Sequence, residues 1–190
     1  MIGSDDEAVV LQAIRRASAL KSPAAVPALG KMLTVGEPEL RLAAVTALTE
    51  IGSPGAMQML ERALADDDRE VRIVAVRAVG ARNAKAALPR LEAAIKGKVL
   101  RESNLTEKMA FFEAFGMMSG DGGIPLLDGI LHAKGFMGGK RDDSEFRACA
   151  AVALGKIGTP KAMESLNKAA NERDVIVRNA VSRAIRGSAS

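Results

Sequence analysis

The sequence predicts an all-α fold, an α–α superhelix of about five helix pairs and a closing helix. Three observations predict it. A set of positions recurs along nearly the whole chain, the apolar spacing inside each unit is helical, and turn residues fall between the helices.

The recurrence is anchored on a basic residue that opens a helix: Arg41, Arg72, Lys108, Arg147 and Arg178. Nineteen residues after the first four stand Leu60, Leu91, Leu127 and Leu166, and one unit earlier Val10 and Leu29 take the same two places. Ala47, Ala78, Ala114, Ala153 and Ala184 form a small-residue column. Beside it runs a large one of Leu48, Val79, Phe115, Leu154 and Ile185. Small beside large is what close-packed parallel layers of helices require. A third column reads Pro27, Gln58, Pro89, Pro125 and Glu164.

Within a unit, Leu42, Val45, Leu48 and Ile51 recur every three residues, and Leu60 and Leu64 are four apart. Gly52-Ser53-Pro54 and Gly158-Thr159-Pro160 separate partner helices, and Asp66-Asp67-Asp68 separates two units. Pro54 and Pro160 fall near first-turn positions, where a missing N–H costs little. Pro27 and Pro89 lie deeper and are expected to bend their helices. Helices are expected at roughly 5–20, 23–34, 38–51, 54–65, 69–81, 84–97, 104–118, 122–133, 143–157, 160–171 and 174–186. They group as units 5–36, 37–67, 68–103, 104–142 and 143–173 with a closing helix 174–186, in one repeat domain over 1–190. No pair buries its apolar face alone, so neighbours must stack.

The bulk properties agree. A chain of 190 residues, 48% hydrophobic, supports one core and is short for two ordinary domains. Aromatics are 3%, with no Trp or Tyr, so Ala, Leu, Val and Ile carry the packing. A net charge of +4 permits acidic partners without demanding nucleic acid. One cysteine, Cys149, excludes a disulfide within the chain and suits a reducing compartment. The opening residues show no signal-peptide pattern, and no apolar run reaches the ~18 residues of a membrane span. A cytoplasmic location is expected.

Asp68-Arg69-Glu70-Val71-Arg72 followed by Ala75, Ala78 and Val79 resembles a HEAT repeat. So does the run from Phe146 to Gly158. The resemblance covers nearly the whole chain and is nearest to the short bacterial type labelled phycobilisome-lyase HEAT-like. It implies a right-handed superhelix. It is specific for architecture and says little of function, since such repeats host scaffolds, adaptors and a few enzymes.

Four residues before each anchor stands an acid or amide: Asp6, Glu37, Asp68, Asn104, Asp143 and Asp174. Acids suit helix N-termini, and an acid–Arg pair four apart adds a few tenths of a kcal/mol. A structural role is therefore expected, over a row of arginines that binds anions. The resemblance implies that this pair links neighbouring units.

The repeat breaks in two places. From the unit leucine to the next anchor is 12 residues in three units, but 17 for Leu91–Lys108 and 20 for Leu127–Arg147. The extra residues fall near 97–103 and 134–142, both between a second helix and the next first helix, hence on one edge. The first connection carries Lys98 and Arg101, the second Phe136, Met137, Lys140 and Arg141. Apolar anchors within a basic rim suit an acidic peptide or another protein surface. These six residues are the candidate partner-binding set; the competing reading folds Phe136 and Met137 back onto the helices. Phe111 and Phe115, four apart, are expected in the core, with Phe112 facing elsewhere.

Chemistry finds little support. The only histidine is His132, and the His-Glu pairs of iron-dependent HEAT-like hydroxylases are absent. One Cys and one His do not make a zinc site. Cys149 lies in a strongly helical segment without an evident activating base, so a buried thiol is expected. Gly120-Asp121-Gly122-Gly123 and Gly138-Gly139-Lys140 lack the strand of a phosphate-binding loop. No catalytic, cofactor or metal residue is assigned.

The reading is a non-catalytic protein-interaction scaffold or adaptor, binding through concave second helices and the two long connections. The alternatives are a nucleic-acid-associated module and a lyase-like accessory protein. The second-helix rows Gly30, Glu61, Glu92, Asp128, Asn167 and Lys31, Arg62, Ala93, Gly129, Lys168 are mixed, unlike a trough for phosphates. The closing helix either caps the stack or leaves Val175, Ile176 and Val177 partly open, which would predict self-association.

Overall fold

The computed structural model describes residues 4–133 and 143–187. Every regular element among them is helical. The order is α1 (Ser4–Ala19), α2 (Val26–Val35), α3 (Pro38–Ile51), α4 (Pro54–Ala63), α5 (Arg69–Ala81) and α6 (Leu88–Lys96). It continues with α7 (Lys98–Glu102), α8 (Leu105–Ser119), α9 (Ile124–Leu131), α10 (Ser144–Ile157), α11 (Pro160–Lys168) and α12 (Val175–Gly187). The chain divides into two compact units, Met1–Ala87 and Leu88–Ser190.

In the first unit, α3 packs between α1 and α5, with α2 and α4 behind. Val45, Leu48, Leu60, Val71 and Val76 are fully buried there. In the second, α10 packs between α8 and α12 and is backed by α9 and α11, while α6 lies against α8. Its core includes Phe112, Leu127, Phe146, Leu154 and Leu166, all without exposure. In the large-residue column Leu48, Val79, Phe115 and Leu154 are buried, and Ile185 of α12 is half-buried.

The helices start and stop where local chemistry directs. Ser53, Asp68, Asn104, Asp143 and Thr159 each accept a backbone N–H from the first turn of the helix they precede. Asp174 does the same for Ile176 and Val177. Such caps satisfy donors the helix cannot. Gly52 and Gly158 end α3 and α10 with positive φ, 62° and 67°, which a side chain would oppose.

The acid–Arg pairs differ from expectation. Asp68, Asn104, Asp143 and Asp174 cap helices, Glu37 makes no side-chain cap, and the anchors reach other partners. Arg41 binds Asp66 with Nε and Nη2, at 2.9 and 2.8 Å, and donates to the Gly36 carbonyl. Arg147 donates to the Leu131 carbonyl at 2.9 Å and pairs with Glu172. Arg72 and Arg178 donate to carbonyls of Asp66, Asp67 and Glu172 just upstream. A guanidinium one turn into a helix sits over the carbonyls that end the preceding segment, so it bonds those, and Arg41 and Arg147 also bond an acid at the end of their own unit. The link between repeats exists, through arginine bonds to carbonyls of the preceding unit and through Lys108, which reaches Asp143 and Glu145 of the next.

The proline column is corrected too. Pro27, Pro89 and Pro125 stand at the second residue of α2, α6 and α9, not deep within them. A 3-10 turn precedes each: Pro23–Ala25, Lys85–Ala87 and Gly120–Gly123. The missing N–H and the fixed φ place each proline where the α-helix proper begins. Where the column holds Gln58 or Glu164, the helix starts directly at Pro54 or Pro160.

Two further expectations change. Phe112 is buried with Phe111 and Phe115, and its ring meets that of Phe146 edge-on at 4.8 Å. Val177 is buried, whereas Val175 and Ile176 are each 55% exposed.

Candidate functional site

The first of the two long connections is not a loop. Residues Lys98–Glu102 form the short helix α7 in the second unit. Gly97 enters it in extended conformation, and Ser103 Oγ donates to the Leu100 carbonyl at its end. Leu100 is buried and pins the turn to the unit. The Arg101 guanidinium lies over the Phe146 ring, 4.5 Å from its centroid. Such a contact stabilises by about 0.5–2 kcal/mol. Two of five side chains thus face inward. The others face water: Val99 is 73% exposed, and Lys98 reaches Glu102 at 3.4 Å with both largely exposed. Leu105, at the start of α8, is 45% exposed.

Of the six candidate residues, the structure places Lys98 outside and Arg101 against Phe146. Phe136, Met137, Lys140 and Arg141 lie outside the described residues. Spacing alone missed Val99, the largest exposed apolar side chain on α7. An i, i+1 assignment of buried and exposed positions requires knowing that 98–102 is helical.

Phe146 opens a charged layer inside the second unit. Lys108 is 5% exposed, and its ammonium stands 3.1 Å from Glu145 and 3.5 Å from Asp143. Burial lowers its pKa, but the hydrogen bond to Glu145 and the two carboxylate charges outweigh that and hold it above the usual lysine value. Arg147 is 1% exposed, and its Nη1 is buried without a hydrogen-bond partner among the described residues. Cys149 is fully buried, and burial pushes its thiol up to about 12. A thiol in that state is neutral and a poor nucleophile.

A second constellation joins α9 to α11. Ser165 Oγ donates to Asp128 Oδ1 at 2.6 Å. His132 Nε2 lies 3.1 Å from the Ser165 carbonyl, 3.4 Å from Ser165 Oγ and 3.6 Å from Asp128 Oδ1. A catalytic triad uses one ring nitrogen for the serine and the other for the acid. Here one nitrogen faces all three groups, and the serine gives its proton to the acid. The arrangement staples two helices and does not activate the hydroxyl. Sequence reasoning missed this pairing although Asp128 stands four residues before His132; Ser165 is brought in by the fold. Among the described residues, no three His, Cys, Asp or Glu side chains gather as metal ligands. None of the described helices is long and apolar enough to cross a membrane.

Two exposed lysines of the second helices, Lys96 and Lys168, are locally paired. Lys168 meets Glu164 at 2.8 Å, and Lys96 meets Glu92 at 2.5 Å, each one turn apart.

Residues 32–104 match the family model of HEAT repeats. No curated protein matches the chain. Among solved structures, the crystal structure of an engineered protein is similar over 100% of this chain and 94% of that one, at 21% identity and a TM-score of 0.50. Human deoxyhypusine hydroxylase in complex with glycerol is similar over 98% of this chain and 81% of that one, at 17% identity and a TM-score of 0.40. The first likeness concerns the fold alone, and the second is too distant to bear on chemistry. Residues 32–104 are thus similar to HEAT repeats, and the described residues on either side are helical as well.

Proposed function

We propose that the chain is a non-catalytic adaptor that captures another protein or an acidic peptide at the α7 edge of its second unit. The observation that carries this reading is α7 itself. An inserted turn of helix is held by Leu100 and Arg101 while Val99 stands exposed beside Lys98. A held apolar side chain next to a cation loses little entropy on docking. The other insertion, with Phe136, Met137, Lys140 and Arg141, runs by sequence into α10, the helix on which Arg101 stacks. The second helices add polar contacts. The pairing of Lys96 and Lys168 with acids one turn away, and the mixed charge of these helices, suit a protein surface better than a phosphate backbone, which calls for a row of free cations.

The test is capture from native lysate with and without nuclease. Wild type is run beside Lys98→Ser/Val99→Ser and beside Phe136→Ser/Met137→Ser/Lys140→Ser/Arg141→Ser, each checked by circular dichroism. The proposal expects a nuclease-resistant protein partner that both variants lose at least about tenfold, the effect of one good anchor. A partner kept by both variants would move the site off this edge. A partner lost on nuclease treatment would favour the nucleic-acid reading.

A further inference from the structure

In the second unit, the first helices touch along their backbones. A Cβ on Gly116 of α8 would sit 2.4 Å from the Ala153 carbonyl oxygen of α10. One on Gly155 of α10 would sit 2.9 Å from the Ala184 Cβ of α12. In the register of the repeat, the corresponding places on α1 and α3 hold Ser18 and Ala47. Serine puts a side chain where glycine permits contact. Between α1 and α3 there is a trough of about 560 Å³, and both Ser18 and Ala47 line it.

Leu11, Ile14, Leu42 and Ala43 give the trough an apolar floor. Its walls carry opposite charges. Arg15 and Lys21 stand on the α1 side, Glu39 and Glu50 on the α3 side, and all four are exposed. Glu39 to Glu50 spans about 16 Å of helix, or three turns.

We propose that this trough docks an amphipathic helix of a partner protein, its apolar face on the floor, an acidic flank along α1 and a basic flank along α3. Helices seat in grooves through residues at i, i+3 or i+4, and i+7, and three turns accommodate that set. Charge complementarity selects this occupant. A lipid or small apolar ligand leaves four charges unused, and an anionic membrane is repelled by Glu39 and Glu50. The trough belongs to the first unit, so this surface stands or falls separately from the α7 edge.

The probe is a fluorescein-labelled helical peptide of about sixteen residues, with Leu on one face, Glu on one flank and Lys on the other. Two comparison peptides carry Glu on both flanks or Lys on both. Binding to the intact chain is read by fluorescence anisotropy. The two-signed peptide is expected to bind at least about tenfold tighter than either comparison peptide. Glu39→Lys/Glu50→Lys is expected to shift the preference to the all-Glu peptide, a change that general destabilisation does not produce. Thr46→Arg, at an exposed position lining the trough, is expected to abolish binding with the helical spectrum unchanged. Equal affinity for the three peptides, no binding by any, or binding indifferent to Thr46→Arg would overturn the proposal. So would self-association of the chain that Thr46→Arg abolishes, since the occupant would then be a second copy.

Discussion

Lys108 and Arg147 occupy the same repeat position, and the fold treats both as buried charges with external partners. Lys108 is the clearer to test, because Glu145 and Asp143 are about half exposed and remain solvated without it. Replacing Lys108 by Met is expected to cost about 1 kcal/mol near neutral pH. The folded-state pKa of Lys108 lies above the ordinary 10.5, so its stabilisation is complete below that value. It is lost as pH rises through the raised folded value. Urea midpoints of wild type and Lys108→Met should therefore converge in alkaline buffer above 10.5 and stay apart below it. Cys149 gives a second residue-scale prediction. With its thiol pushed up to about 12 and fully buried, it should resist iodoacetamide in the folded chain and react once urea unfolds it. Mass spectrometry reads both. The buried thiol was legible from its helical context. The partners of Lys108 were not, because Glu145 is 37 residues away and only packing brings it there.

At the scale of elements, the helix pairs were legible because apolar spacing, caps and turn residues agree over each one. Two features were not. The 97–103 connection reads as a loop, since Gly97 breaks the preceding helix and five residues give too short a window for a helical period. Its helicity rests on Leu100 and on the Phe146 ring beneath Arg101, both tertiary facts. The prolines read as interior because local pattern does not distinguish a 3-10 turn from the first turn of the helix it leads into. Helix packing yields a prediction of paired signs. Gly116→Ala would place a Cβ 2.4 Å from the Ala153 carbonyl oxygen and 2.9 Å from its Cα, so α8 must move off α10. A loss of about 1–3 kcal/mol is expected in thermal or urea unfolding. Gly129→Ala, within α9 and with no described residue within 4 Å of the new Cβ, should instead stabilise by about 0.5–1 kcal/mol. Equal effects at the two glycines would contradict the close approach of α8 and α10.

Across the whole molecule, architecture was far more legible than use. Repeated columns such as Ala47, Ala78 and Ala153 report on packing, because every unit must solve the same packing problem. A binding surface has no such repetition. The proposed surfaces sit where units differ, at α7 with Val99 and at the trough lined by Ser18, and a difference in spacing does not say which side chain faces water. The two compact units each hold their own core, and each carries one of the two proposed surfaces. The central claim, that α7 is a held recognition element, is tested most directly by hydrogen–deuterium exchange of the chain alone and with its captured protein partner. The account predicts added protection at residues 97–105 on binding, with the cores around Leu48 and Leu154 unchanged. Protection confined to segments away from α7 would contradict it.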